Sequence, residues 1–191
     1  EQQQRSAAAI HRESTRLRRL VEALLTLSRY DSREFRPTMT SVDVDALVAE
    51  EVERLVQVGL AEPGHIVVHG GPGAQVITDA DMLRQVVANL LRNAVQYGGT
   101  DPVTVRVTAD GKDLTLEVTN GGEPLTAEDS ARVFERFYRG GSGRRVDGLG
   151  LGLALVREIC VVLRGRVELV EEGPLTCFRV TLPSRPEEPR S

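Results

Sequence analysis

The run Gly148-Leu149-Gly150-Leu151-Gly152-Leu153 passes without a break into Ala154-Leu155-Val156-Arg157-Glu158-Ile159-Cys160-Val161-Val162-Leu163, and this junction constrains the chain more than any other stretch. Three alternating glycines strip side chains from one edge of the turn. Backbone N–H groups can then approach an anion at the start of the helix, where the helix dipole also favours negative charge. Two readings fit these residues alone: a phosphate-holding turn, or a flexible loop capping a buried helix. In either case a helix this apolar must lie against a core.

With 191 residues and 40% hydrophobic content, the chain can fill one ordinary α/β core with an appendage left over. A net charge of −4 offers no global attraction for nucleic acid or an acidic membrane, so anions must be held by local clusters. No nucleic-acid partner is expected. Cys160 and Cys177 stand in apolar settings, which suits a reducing compartment and two core residues and argues against a disulfide framework or a zinc site. No apolar run reaches the length of a membrane span, so this chain is expected to make no membrane contact. Starting at Glu1 without Met, it is read as a piece of something longer.

Residues 1 to about 30 read as a helix, with Ile10, Leu17 and Leu24 at seven-residue spacing and Leu20 and Leu27 three residues after the last two. Such a seam calls for another helix, expected from outside the fragment. Asp31-Ser32 and Pro37 end it. His11, on a polar face with no nearby Pro, reads as a solvated helix histidine. Short elements follow: a strand from Thr38 to Val42, an Asp43-capped helix through Val58, and strands His65–His69 and Ala74–Thr78 around Gly70-Gly71-Pro72-Gly73. His65 and His69 lack companions at metal-ligand spacing and read as strand surface.

A helix is predicted over Ala80–Tyr97. Leu83, Val86, Val87, Leu90, Leu91 and Ala94 share its buried face, and Gln85, Asn89, Arg92, Asn93 and Gln96 share another. An exposed polar face is the ordinary explanation, yet Asn is a poor helix former, and two Asn one turn apart present carboxamide oxygens suited to a hard cation such as Mg²⁺. A hairpin, Val103–Val107 and Leu114–Val118, turns at Asp110-Gly111. Asn120-Gly121-Gly122-Glu123-Pro124-Leu125 is either a plain Asn-Gly turn or a glycine-bearing strand exit facing a pocket. A short helix from Ala127 to Phe134 follows. Arg132, Arg136, Arg139, Arg144 and Arg145 then concentrate positive charge ahead of the glycine run, a placement suited to a lid over polyphosphate. Arg166–Val170 and Cys177–Leu182 are closing strands, and the Pro-rich tail from Pro183 is expected to be disordered.

Taken in order, Gln85-(x3)-Asn89-Leu90-Leu91-Arg92-Asn93-Ala94-(x2)-Tyr97, Asn120-x-Gly122, Phe134-Glu135-Arg136-Phe137-Tyr138-Arg139 and Gly148–Leu153 resemble the N, G1, F and G2 boxes of bacterial sensor histidine kinases. Residues 13–29 are similar to the second helix of that family's dimerisation and phosphotransfer hairpin. The resemblance covers essentially the whole chain. It implies a two-layer α/β sandwich of the Bergerat ATPase type, a mixed sheet with helices on one face, preceded by a long helix. The implied divisions are residues 1–36 for the hairpin helix and linker, 37–183 for the catalytic ATP-binding domain and 184–191 for the tail.

By the same resemblance Asn89 and Asn93 hold Mg²⁺ and through it the triphosphate of ATP. Tyr97 packs near the adenosine, Asn120 reads the adenine amino group, and Arg139 reaches the γ-phosphate. Arg92, Gln96, Gly122, Leu125, Leu149 and Leu151 complete the nucleotide site, with Gly148, Gly150 and Gly152 letting the lid and helix N-terminus approach the phosphates. Phe134, Phe137 and Tyr138 anchor the lid. The implied chemistry is γ-phosphoryl transfer to a histidine, by positioning and charge neutralisation. Implied partners are the parent's phosphoacceptor helix and a response-regulator receiver domain. A homodimeric, membrane-anchored parent, of which this chain is a cytoplasmic portion, is also implied.

The departures carry expectations of their own. Asn120 stands where the family usually has Asp, so the hydrogen bond to the adenine amino group lacks charge assistance and weaker ATP binding is expected. Pro124 replaces a glycine and stiffens the pocket rim. Gln96 stands where many members have Lys, and Leu175-Thr176 lacks the usual preceding Gly. No His-Glu-x-x-x-Pro motif occurs, so the phosphorylated histidine is expected outside this chain. An active catalytic fragment is the favoured reading. The alternative is a degenerate nucleotide-binding module that signals by association.

Overall fold

The computed structural model describes residues 35–71, 73–140 and 149–185, together with positions 14, 18, 20, 21, 24–26 and 28–30, which are helical. Strand β1 (Met39–Asp43) runs into helix α1 (Val44–Gln57), followed by β2 (Ile66–His69), β3 (Gln75–Asp79) and α2 (Ala80–Tyr97). Then come the hairpin β4 (Val103–Ala109) and β5 (Asp113–Asn120), the short α3 (Ala127–Arg132), α4 (Gly152–Val162), and the hairpin β6 (Arg166–Glu172) and β7 (Leu175–Pro183). The main sheet has the order β2-β4-β5-β7-β6. Its β2–β4 pair is parallel and its other pairs are antiparallel, which makes it mixed as expected.

Alternation along the strands sets the two faces. On β5, Leu114, Leu116 and Val118 are fully buried, while the residues between them are half-buried on the opposite face. Burying each such side chain contributes roughly 1.5–3 kcal/mol, so a one-residue slip of register would forfeit the whole row. Val44, Leu47 and Val48 of α1, Leu83, Val87 and Leu90 of α2 and Val156 and Ile159 of α4 close the same core. The other face carries a ladder of alternating charge across four strands. Glu117 accepts from Arg179 at 2.7 Å and lies 3.8 Å from Arg106, and Arg179 is 3.7 Å from Glu168.

Capping fixes where the helices begin. Asp79 accepts from the N–H groups of Asp81 and Met82, both at 3.1 Å, and so starts α2 at the residue the sequence predicts. Asp43 does the same for α1, accepting from Ala46 N–H at 3.0 Å. Thr126 and Asp129 form a capping box at α3. That helix ends at Arg132 rather than Phe134, and Phe134 instead turns edge-on to Phe178, with ring centroids 6.0 Å apart.

Two expectations are corrected. The strands flanking the Gly70–Gly73 turn do not pair with each other: β2 joins β4 in the main sheet, whereas β3 pairs antiparallel with β1 in a separate two-stranded sheet. Ile66 and Val76 both belong to the core cluster but reach it from different sheets. The N-terminal seam is also not left wholly to an outside partner. Leu20, Tyr30 and Phe35 pack against the core cluster, and Tyr30 donates to Gln85 Oε1 at 3.2 Å. Leu24 remains exposed, while Ile10, His11, Leu17 and Leu27 lie outside the described residues. At the other end Ser184 is buried, with its N–H donating to the Lys112 carbonyl at 2.8 Å and its own carbonyl accepting from Ile77 at 3.0 Å. Residues 186–191 lie outside the description.

Candidate functional site

Between the polar face of α2, the end of β5, the turn after α3 and the start of α4 lies a cavity of about 560 Å³. Eleven described residues named from the sequence line it: Asn89, Arg92, Asn93, Gln96, Tyr97, Asn120, Leu125, Arg139, Leu149, Gly150 and Gly152. Helical spacing places the first five along one side of α2, and the fold brings the remainder to them from four other segments.

Asn89 has a defined orientation. Its Nδ2 donates to the Gln85 carbonyl one turn back, at 2.8 Å, which leaves Oδ1 directed away. A Cβ built on Gly152 would stand 3.3 Å from that oxygen, so the first residue of α4 comes close to Asn89. Among the described residues no side chain caps α4, which leaves its first N–H groups suited to an anion.

Asn120 ends β5 and is 3% exposed. Its Nδ2 donates to the Gly121 carbonyl at 2.5 Å, and its Oδ1 is buried with no partner among the described residues. An orphaned acceptor at this depth costs about 1–3 kcal/mol, so a ligand that supplied a donor would recover that energy.

Two glycines hold the walls in place without facing a ligand in the same way. Gly122 has φ +104° and its missing Cβ would strike the Tyr97 carbonyl, so it stands behind the cavity wall and lets the chain cross the end of α2. Gly150 has φ +66°, and a Cβ there would lie 2.6 Å from the Tyr138 carbonyl. Its own carbonyl accepts from Phe137 N–H at 2.8 Å. Phe137 is itself left-handed, with φ +65°, at this close crossing.

Two sequence expectations are altered by the geometry, and a third falls outside the described residues. Gly122 and Leu151 do not line the cavity; Leu151 is 3% exposed, belongs to the core and serves as the N-cap residue of α4. Gly148, Arg144 and Arg145 lie outside the described residues. The expected arginine concentration is also thinned. Arg132 is bound by Glu128 at 3.1 Å and Glu135 at 3.0 Å, and Arg136 lies 3.8 Å from Glu158. Of the described members of that group, Arg139 alone lines the cavity.

Sequence reasoning did not assign Asp129, Thr176 or Phe178 to this wall. Thr176 is opposite Asn120 in the β5–β7 register, a pairing across 56 residues that no local pattern reveals. Asp129 gave a local signal only as a helix cap. A second groove lies beside β6, lined by Phe134, Val167, Leu169 and the Glu168–Arg179 pair. Its two charges face each other at 3.7 Å, so it lacks the convergent polar groups of the larger cavity.

Comparison with known proteins identifies relatives of the whole fold. The family model described as histidine kinase-, DNA gyrase B-, and HSP90-like ATPase matches residues 78–186. Sensor-like histidine kinase SenX3 of Mycolicibacterium smegmatis is 33% identical over 180 residues, which cover 92% of this chain and 47% of that protein. The chain thus spans about half the length of this curated relative. Full-length ShkA in complex with AMPPNP matches at a TM-score of 0.77 and 27% identity, over 94% of this chain and 38% of that one. The mycobacterial sensor histidine kinase MprB matches at a TM-score of 0.65 and 30% identity, over 77% of this chain and 99% of that one.

Proposed function

The chain belongs to the family of histidine kinase-, DNA gyrase B-, and HSP90-like ATPases, and from that premise we propose that it is the ATP-binding catalytic part of a sensor histidine kinase. The observation that carries this reading is the pairing of two features on one cavity. A buried, unpartnered acceptor on Asn120 lies on one wall, and the uncapped start of α4 lies on another. The first suits the amino group of an adenine, and the second suits phosphate. AMPPNP, an ATP analogue, is named in the ShkA complex, which supports the same ligand class here.

Each residue then has a task. Asn120 presents Oδ1 to the base because its Nδ2 is held by the Gly121 carbonyl. Tyr97, which lines the cavity next to the Gly98 C-cap, offers its ring to the adenosine. Asn89 and Asn93, one turn apart on α2, are the residues that would hold Mg²⁺; their neutral carboxamide oxygens fit a hard cation that keeps several waters and shares phosphate oxygens. Bound there, Mg²⁺ supplies neutralisation of phosphate charge. Arg139 and the first N–H groups of α4 stabilise charge on the phosphates in a pocket partly shielded from water. The acceptor is a histidine of the parent kinase, and relay to a response-regulator aspartate follows. Among the described residues no helix is long and apolar enough to cross a membrane; the parent is proposed to be membrane-anchored and dimeric, with this part in the cytoplasm.

Titration calorimetry with ATP, with and without Mg²⁺, tests the reading. Metal-dependent binding that Asn93→Ala abolishes is the expected result. No binding at millimolar ATP would remove the kinase reading in favour of an interaction module.

A further inference from the structure

We propose that Asp129 is a positioning residue which, through Tyr138, fixes where Arg139 stands in the cavity; this rests on the reading of the cavity as an ATP site. Asp129 is 8% exposed, an unusual depth for a carboxylate beside a cavity meant for polyphosphate. It is tolerated there because donors occupy both oxygens. Oδ1 accepts from the Tyr138 hydroxyl at 2.8 Å, and Oδ2 accepts from Thr126 Oγ1 at 2.6 Å and Thr126 N–H at 3.2 Å. The carboxylate is therefore spent on protein donors, which leaves it poorly placed to bind metal or substrate directly.

The contact brackets one residue. Tyr138 touches Asp129 through its hydroxyl, and a Cβ on Gly140 would lie 2.8 Å from Asp129 Oδ1, so the backbone of Gly140 also abuts the carboxylate. Between them is Arg139, a lining residue of the cavity. The Tyr138 ring is further held by Arg132, whose guanidinium sits 4.4 Å from the ring centroid and is itself bound to Glu128 and Glu135. Through the capping box Asp129 is rigidly part of α3. A carboxylate built into a helix terminus thus restrains the chain on both sides of the arginine. Without it, the segment that carries Arg139 is less restrained, which weakens contact with the outermost phosphate. The hydrogen bond also raises the Tyr138 pKa, which keeps its hydroxyl a donor.

The test compares ATP with ADP, because only ATP carries the phosphate assigned to Arg139. In the 191-residue chain, Tyr138→Phe keeps the ring under Arg132 and removes only the hydroxyl. It should weaken ATP binding about five- to tenfold, the value of one hydrogen bond, while ADP affinity stays within about twofold. Asp129→Asn keeps an acceptor and should fall between wild type and Tyr138→Phe. In an Arg139→Ala background Tyr138→Phe should have no further effect on ATP. An unchanged ATP-to-ADP ratio in Tyr138→Phe, an equal loss for both nucleotides, or an effect that persists without Arg139 would overturn the proposal. If the unmutated chain binds neither nucleotide, the functional reading fails with it. Binding of both by wild type, with the ratio lost in Arg139→Ala and kept in Tyr138→Phe, defeats the positioning role alone.

Discussion

Asn120→Leu should separate function from stability. Leu matches Asn in the number and branching of its side-chain heavy atoms, though it is bulkier, and it can neither accept from a ligand nor donate to the Gly121 carbonyl. In the nucleotide-free protein two changes oppose one another. Relief of the buried, unpartnered Oδ1 gains about 1–3 kcal/mol, while loss of the Nδ2 bond and of Gly121's donor costs a similar amount. The bulkier side chain adds some packing strain, so the net loss should stay within about 2 kcal/mol, or roughly 4–8 °C in Tm for a domain of this size. Binding has no such compensation: the adenine amino group enters a buried wall without an acceptor, a penalty of about 1–3 kcal/mol, or about 5- to 150-fold in Kd. Calorimetry should be run with ATP and with purine riboside triphosphate, which lacks the amino group. Wild type should prefer ATP, and the variant should lose that preference or reverse it in favour of the analogue without the amino group. An unchanged preference would refute the assignment of Oδ1 to the base. A stability loss above about 2 kcal/mol with the preference intact would make Asn120 a structural residue.

Other parts of the molecule make separate predictions. Arg84→Met strips Glu51, which is 3% exposed, of its 3.0 Å partner. Breaking a fully buried pair costs about 3–5 kcal/mol, but Arg54 remains 3.5 Å away and Arg84 is one-third exposed, so urea unfolding should show a loss of about 2 kcal/mol. Gly122→Ala places a side chain at φ +104° against the Tyr97 carbonyl; Tm should fall by an amount equivalent to at least about 1–3 kcal/mol, and nucleotide binding should fall with it. Burial pushes the Cys160 thiol up to about 12, so it should resist alkylation at pH 8 in the folded protein and react once urea unfolds it. The stability gained by keeping this thiol neutral is intact below its ordinary value of 9.0 and declines as pH rises toward about 12. A native-state alkylation rate matching that of the unfolded chain would contradict this.

Local chemistry made much of this protein legible in its sequence. Helix α2 could be bounded because Asp79 caps it and its apolar residues recur at helical spacing, and those same periods fixed which side of it carries Asn89, Asn93 and Gln96. The β4–β5 hairpin and the α4 junction were legible for the same reason, since turn residues and short-range periodicity act over a few positions. Tertiary structure alone decided which distant strands became neighbours: β2 beside β4, β3 beside β1, and Thr176 opposite Asn120. It also decided that Arg132 and Arg136 would be consumed by ion pairs while Arg139 reached the cavity. Charge counts cannot foresee which arginine stands beside which acidic group and which lines the cavity, because that depends on where the folded backbone carries each one. Asp129 shows the same limit: its sequence neighbours identify a helix cap, and only the folded chain places Tyr138 against its second oxygen.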